Sequence, residues 1–142
     1  MSEYSAVIRI SNLRLRTFIG FNPEERAKQQ DIVVNVEIHH VAKPAALRDD
    51  VSQALDYKLI SKAIIRHVED GRFLLLEKLV SDLLEICTRE SAVTRALVTV
   101  DKPHALRFAD SVSLTLGFDR NDKQPHSENP DEHYPRTFSK AS

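Results

Sequence analysis

The sequence contains a single cysteine, Cys87, so no internal disulfide framework and no cysteine-based zinc finger can hold the chain together. It has almost no net charge, because 20 Lys and Arg against 21 Asp and Glu leave −1. A general nucleic-acid binder carries a clear basic excess, so that class is excluded for the chain as a whole, although a local basic pocket is not. No apolar run approaches the ~20 residues that span a bilayer. The start, Met1-Ser2-Glu3-Tyr4, has no basic region leading into an apolar one, so no secretory signal is read there. The expectation is a cytoplasmic protein with neither a membrane nor a nucleic-acid partner. Histidines offer no metal set either. His39 and His40 point to opposite sides of one strand, and His67, His104, His126 and His133 lack the HExxH spacing. No metal and no cofactor is expected.

What is present is globular. Apolar types make up 42% and charged types 29% of 142 residues, the balance of one ordinary domain. A chain this long buries about two-thirds of its unfolded surface. One break in composition stands out: Arg120 to Ser142 carries Pro125, Pro130 and Pro135, three of the six prolines, and almost no aliphatic residue. Such a segment cannot bury enough apolar surface to offset its ordering entropy. The expectation is a folded domain over residues 1–119 and a flexible polar tail over 120–142, with Tyr134 and Phe138 as the groups that would dock if any did.

Within the domain the hydrophobic period changes twice. Ile32, Val34, Val36 and Ile38 alternate with Val33, Asn35, Glu37 and His39, which predicts a strand with one buried face. Ile8 and Ile10, then Leu13 and Leu15, predict another, and a bulge at Ser11-Asn12 restores the face. Gly20 to Gln30 between them reads as a polar loop. Asp56 caps a helix beginning at Tyr57, with Leu59, Ile60, Ala63, Ile64 and Val68 on its apolar stripe and Gly71 as a left-handed stop. Leu76, Leu79, Val80, Leu83, Leu84 and Cys87 mark a second helix, in which Cys87 is a buried small hydrophobe. Ala96, Val98 and Val100, then Val112, Leu114, Leu116 and Phe118, return to period 2. The order β-β-α-α-β-β predicts an α+β domain, an antiparallel sheet with two helices on one face. Its two sheet edges carry little blunting by proline or lysine, which favours edge pairing between copies and hence a homo-oligomer.

Four stretches place polar groups where a plain core or turn has no need of them: Gly20-Phe21-Asn22-Pro23-Glu24-Glu25, Leu55-Asp56-Tyr57, Leu75-Leu76-Glu77-Lys78 and Asp101-Lys102-Pro103-His104-Ala105-Leu106-Arg107. Singly, each fits a structural role. Glu77 complements a helix dipole, Lys102 is a solvated turn lysine, and Tyr57 is a first-turn aromatic.

Together and in this order they resemble the dihydroneopterin aldolase family. The resemblance covers about residues 5–119 and rests on GFNPEERAKQQ, LDY ahead of the first helix, LLLEKL opening the second, and VTVDKPHA. Within the family, IRISNLRLRTFIG, QDIVVNVEIH, LLEKL and KPHALRFADSVSLTL are similar to the branch that epimerises dihydroneopterin triphosphate at C2′. Phe18-Ile19-Gly20 stands where the aldolase branch usually has Tyr-His-Gly. The resemblance implies a T-fold, whose subunits close into tetrameric barrels that stack in pairs as an octamer, with pterin pockets between subunits. It implies Glu77 as the anchor of the pterin ring, Lys102 as the catalytic lysine, and Tyr57 and Glu25 beside the substrate's side chain. Leu55 and Leu76 would flank the ring, and His104, Arg107 and Arg16 would hold a triphosphate. The alternatives are an aldolase releasing glycolaldehyde and 6-hydroxymethyl-dihydropterin, and a non-catalytic pterin-binding module that shares the fold.

Overall fold

The computed structural model describes residues 3–122. In chain order these form strand β1 (Tyr4–Ile19), helix α1 (Pro23–Ala27), strand β2 (Gln30–Ala42), helix α2 (Pro44–Leu47), a 3-10 turn at Val51–Gln53, helix α3 (Tyr57–Glu69), strand β3 (Arg72–Phe73), helix α4 (Leu76–Thr88), and strands β4 (Val93–Lys102) and β5 (Val112–Asp119). The sheet order is β3-β1-β2-β4-β5. The architecture is α+β, and its long elements follow the expected β-β-α-α-β-β order. It differs from a purely antiparallel four-stranded sheet in having β3, whose two residues pair in parallel with Phe18 and Ile19.

The period-2 pattern becomes the core directly. Ile32, Val34, Val36 and Ile38 of β2 and Ala96, Val98 and Val100 of β4 are buried on one face, against Ile60, Ile64 and Val68 of α3 and Leu79, Val80, Leu83, Ile86 and Cys87 of α4. Cys87 is as inert as its position in the stripe predicts, since burial pushes its thiol up to about 12. Leu59 departs from expectation. It is exposed, because α3 turns that side outward. The break in β1 falls where the pattern shifts, between Ile10 and Leu13. Asn12 takes φ +55 there, a left-handed conformation that asparagine tolerates, and its amide donates to Asn35 Oδ1 at 2.9 Å.

Asp56 caps α3 as predicted, its carboxylate accepting the Leu59 amide at 3.1 Å. The other end does not stop as predicted. Asp70 closes α3 in a right-handed conformation, and the glycine with positive φ is Gly20, not Gly71. Gly71 is needed for space, since a Cβ there would lie 2.4 Å from the Phe73 ring. Arg120, expected to open the tail, is instead bound. Its guanidinium donates to the carbonyls of Val93 at 2.8 Å and Thr88 at 3.0 Å. The rest of that expectation, including Tyr134 and Phe138, lies outside the described residues. Among the described residues, no helix is long and apolar enough to cross a membrane.

The end of α3 is held to the sheet by Thr17, the buried polar residue in the core. Its hydroxyl donates to the Val68 carbonyl at 2.6 Å and approaches the Gly71 carbonyl at 3.2 Å. Thr17→Val keeps the shape and removes the donor, so it should cost about 1–2 kcal/mol of stability. Urea unfolding measures this, and a change within a few tenths would show that the bond contributes nothing net.

Candidate active site

The polar turn after β1 is built around one glycine. Gly20 has φ +127, a region that side chains rarely adopt, and its amide donates to the Phe73 carbonyl at 2.9 Å. A Cβ on Gly20 would fall 2.2 Å from the Glu25 carboxyl carbon. The turn therefore leaves room for a carboxylate where any other residue would place a side chain. Glu25 is brought there by α1, which the sequence reading took for loop. The signal was present, because Asn22-Pro23-Glu24-Glu25 is a capping box with proline at the first helical position. Asn22 Oδ1 accepts the Glu25 amide at 2.8 Å, and Glu25 Oε1 accepts the Asn22 amide at 3.4 Å. Gln30, at the start of β2, donates from its side chain to the Ile19 carbonyl and pins the other side of the turn.

The second Glu25 oxygen faces Lys102. Lys102 closes β4, and its ammonium donates to Glu25 Oε2 at 2.9 Å. Both side chains are largely covered, at 12% and 24% exposure. The lysine hydrogen bond, reinforced by the Asn22 amide and Gln30, outweighs partial burial and holds the Glu25 carboxyl below its ordinary range. The pair is thus a fixed carboxylate against an amine, joining residues 77 positions apart. This is an arrangement that can pass a proton.

Glu77 and Leu76 sit at the same end. β3 runs beside the end of β1, and α4 starts three residues after Phe73, so its first turn opens next to the Gly20 turn. Leu75 supplies no side-chain cap. The first amides of α4 consequently remain available as donors, with Glu77 exposed beside them and Leu74 and Leu75 half exposed.

Leu55 and Tyr57 are not part of this group. Tyr57 opens α3 and lines a groove with Ile8 and Ile10, whereas Glu25 lies against Gly20. About ten residues of β1, or roughly 33 Å of strand, separate the two places. Leu55 packs at the margin of the core close to Tyr57, whose amide donates to the Leu55 carbonyl at 3.0 Å. Within one chain, the expected site residues therefore form two half-sites, one against Ile8 and Ile10 of β1 and the other beyond its C-terminal end.

The expected triphosphate groups are also dispersed. Arg16 is engaged, donating to the Gln29 carbonyl at 3.0 Å and lying 3.6 Å from Asp31. His104 lines a cleft of about 340 Å³ with Arg14, Arg16 and Asp31. Arg107 stands in the exposed turn between β4 and β5, its guanidinium 5.4 Å from the Phe108 ring. Among the described residues, no group of three or more His, Cys, Asp or Glu is placed to hold a metal ion.

The Glu25 pairing has a signed consequence. A carboxyl depressed in the folded state adds stability above its unfolded pKa, and that contribution is lost as pH falls through the folded value. The stability gap between wild type and Glu25→Gln should be constant from pH 6 to 8 and close as the pH drops below roughly 4. Denaturation midpoints against pH would show it, and a gap independent of pH would mean that the pair does not stabilise the fold.

Comparison with known proteins gives the family. The family model of dihydroneopterin aldolase (FolB) matches residues 8–117. Dihydroneopterin triphosphate 2′-epimerase of Escherichia coli K12 is 53% identical over 120 residues, covering 84% of this chain and all of the relative. The protein of that name from Pseudomonas aeruginosa PAO1 is 51% identical over 111 residues, 78% of this chain and 90% of the relative. The crystal structure of E. coli dihydroneopterin aldolase in complex with neopterin superposes with a TM-score of 0.74 at 26% identity, covering 80% of this chain and 98% of that one. With the family model spanning most of the described residues and half-identical relatives matched over nearly their whole length, the chain belongs to the dihydroneopterin aldolase family.

Proposed function

We propose that the protein is a dihydroneopterin triphosphate 2′-epimerase, which inverts C2′ of the substrate's side chain by retro-aldol cleavage and re-addition. The observation that carries this reading is identity above 50% with relatives of that name over nearly their whole length, against 26% with the aldolase. The Glu25–Lys102 pair supplies the proton chemistry that the reaction requires.

The residues divide the work. Glu77, at the uncapped start of α4, accepts two parallel hydrogen bonds from the 2-amino group and N3 of the pterin, a bidentate charge-assisted contact. Leu76 offers a backbone amide and an apolar wall, and Leu55 supplies the opposite wall. Loss of the 2′-hydroxyl proton lets the C1′–C2′ bond break. C2′ becomes an aldehyde, and the bonding pair flows into the C=N of the dihydropterin ring, which serves as the electron sink. Lys102, fixed against Glu25, carries the proton from and back to that hydroxyl, and Tyr57 orients or relays it. Re-addition to the other face of the aldehyde gives the epimer, while escape of the aldehyde gives the aldolase outcome.

The split of the half-sites supports an assembly in which Leu55 and Tyr57 of one copy meet Glu25, Glu77 and Lys102 of the next. The sheet has the means for it. β3 covers β1 only at Phe18 and Ile19, and the outer edge of β5 has no partner strand among the described residues. Unpaired edges of that length invite pairing, and repeated pairing around a closed barrel removes both. Light scattering should give several times 16.2 kDa, eightfold for two stacked tetramers. A monodisperse monomer at micromolar concentration would end the shared-site reading.

The direct test incubates the enzyme with dihydroneopterin triphosphate and with unphosphorylated dihydroneopterin, resolves the 2′ epimers and measures released aldehyde. Epimer in excess of aldehyde is expected, and aldehyde alone would make the protein an aldolase. Lys102→Ala should lower kcat on both substrates by about 10²–10⁴-fold, the usual worth of a positioned acid–base group. Glu77→Gln places a donor against donors and should weaken pterin binding by about 10- to 150-fold. Unchanged titration with the pterin would remove Glu77 from the site.

A further inference from the structure

The groove at the second half-site has a charge that the pterin ring does not explain. It lies between the open edge of β1 and the first two turns of α3, measures about 560 Å³, and is lined by Ile8, Arg9, Ile10, Tyr57, Lys58, Ser61 and Lys62. That size falls within the usual range for small-molecule pockets. Two of the lining residues, Lys58 and Lys62, bring cationic side chains to it from α3, and none of the lining residues is acidic. Lys58 and Lys62 lie one turn apart on the same helix face, with Cβ atoms about 5–6 Å apart, so two ammonium groups can close on one chain of phosphates. Neither has a carboxylate partner among the described residues, whereas Lys78 is paired with Asp82 and Lys102 with Glu25. Arg9 lines the groove only through the strand itself: its side chain lies between Ile8 and Ile10 in sequence and so points to the opposite face of the sheet, where it donates to Glu37 at 3.3 Å. Ser61 and Tyr57 add hydroxyls.

We infer that Lys58 and Lys62, with Ser61, form the polyphosphate subsite of the enzyme. The inference rests on the reading of Tyr57 as the residue beside the substrate's side chain. A triphosphate carried on that side chain then continues past Tyr57 along α3, while the pterin ring and Lys102 belong to the neighbouring copy. The turn after β4 is a poorer grip. Arg16 is already spent on Asp31 and the Gln29 carbonyl, an acid lines the His104 cleft, and Arg107 is placed against Phe108, which is 94% exposed. Holding the phosphates also retains the cleaved fragment long enough for re-addition, so the same two lysines would bias the outcome toward epimer.

The test uses the assembled full-length protein with inorganic tripolyphosphate as the first probe. Calorimetric titration should detect binding that weakens as salt is raised. It should weaken by about 10- to 100-fold in Lys58→Ala/Lys62→Ala and return in Lys58→Arg/Lys62→Arg. Both lysines are exposed and alanine favours helix, so circular dichroism and oligomeric mass serve as the folding check. In turnover, the ratio of kcat/KM for the triphosphate over that for the unphosphorylated pterin should fall by a similar factor in the alanine pair. The share of released aldehyde should rise. Tripolyphosphate binding untouched by the alanine pair, or lost equally on Arg107→Ala, would overturn the inference. Tripolyphosphate bound through these lysines in a protein that epimerises neither pterin would keep the subsite and overturn the function proposed above.

Discussion

The site at the end of β1 depends on one contact, the Thr17 hydroxyl on the Val68 carbonyl in the last turn of α3 and the Gly71 carbonyl just beyond it. A helix end must find partners for the acceptors it exposes, and here a buried strand residue supplies one. That fixes where the chain leaves α3, and with it the two residues of β3 that lie along Phe18 and Ile19. From β3 follow the amide bond of Gly20 to Phe73 and the starting point of α4. Arg72, whose guanidinium lies 3.8 Å from the Phe18 ring centre, closes the same junction from outside. Glu77, Glu25 and Lys102 share a neighbourhood because this corner is rigid, although they come from three distant stretches of sequence.

Rigidity of that kind serves a reaction with little covalent chemistry for the protein to perform. A substrate that supplies its own electron sink needs a held ring and a placed proton, and both are questions of position. Glu25 is positioned from three sides, by the capping box of Asn22, by the empty space over Gly20 and by the Lys102 ammonium. Gln30 ties the far side of the turn to Ile19. Each of these is a local device of a few residues, and the sheet register brings them together, with Lys102 one residue beyond the Asp101–Val33 pair and Val33 opposite Arg14.

The large elements were legible because they bury one face. Residues 32–38, 96–100 and 112–118 alternate in sequence, and burial of one face leaves little choice of register. Asp56 and the Ser11-Asn12 break were readable because capping and bulging are local chemistry. What escaped was structure that exists only by docking. β3 is too short to have a pattern of its own, and α1 and α2 are single turns whose evidence is a cap rather than a stripe. Gly71 was read as a conformational glycine when it is a spatial one, and no local signal separates the two without knowledge of where the Phe73 ring lies. Leu59 fits the helical stripe but falls on its open side. The residues proposed for the chemistry come from the resemblance. Their division into two groups does not, since sequence order says nothing about how far along β1 each group stands. Lys58 and Lys62 carry no signal in the sequence because lysine on a helix surface is the ordinary case, and only the groove they share with Tyr57 and Ser61 against β1 sets them apart.

In the shared-site assembly proposed above, Tyr57 and Lys102 of one pocket come from different copies, which would also alter the genetics. When each pocket takes one half from each of two identical copies, a copy damaged at Tyr57 still lends a sound Lys102 to its neighbour, and the reverse holds. Two inactive alleles, one at each residue, would complement when co-expressed, because random mixing in equal amounts makes about one pocket in four from two sound halves in a ring of this symmetry. Two alleles damaged at the same residue would never do so. The length of β1 thus decides which defects can rescue one another.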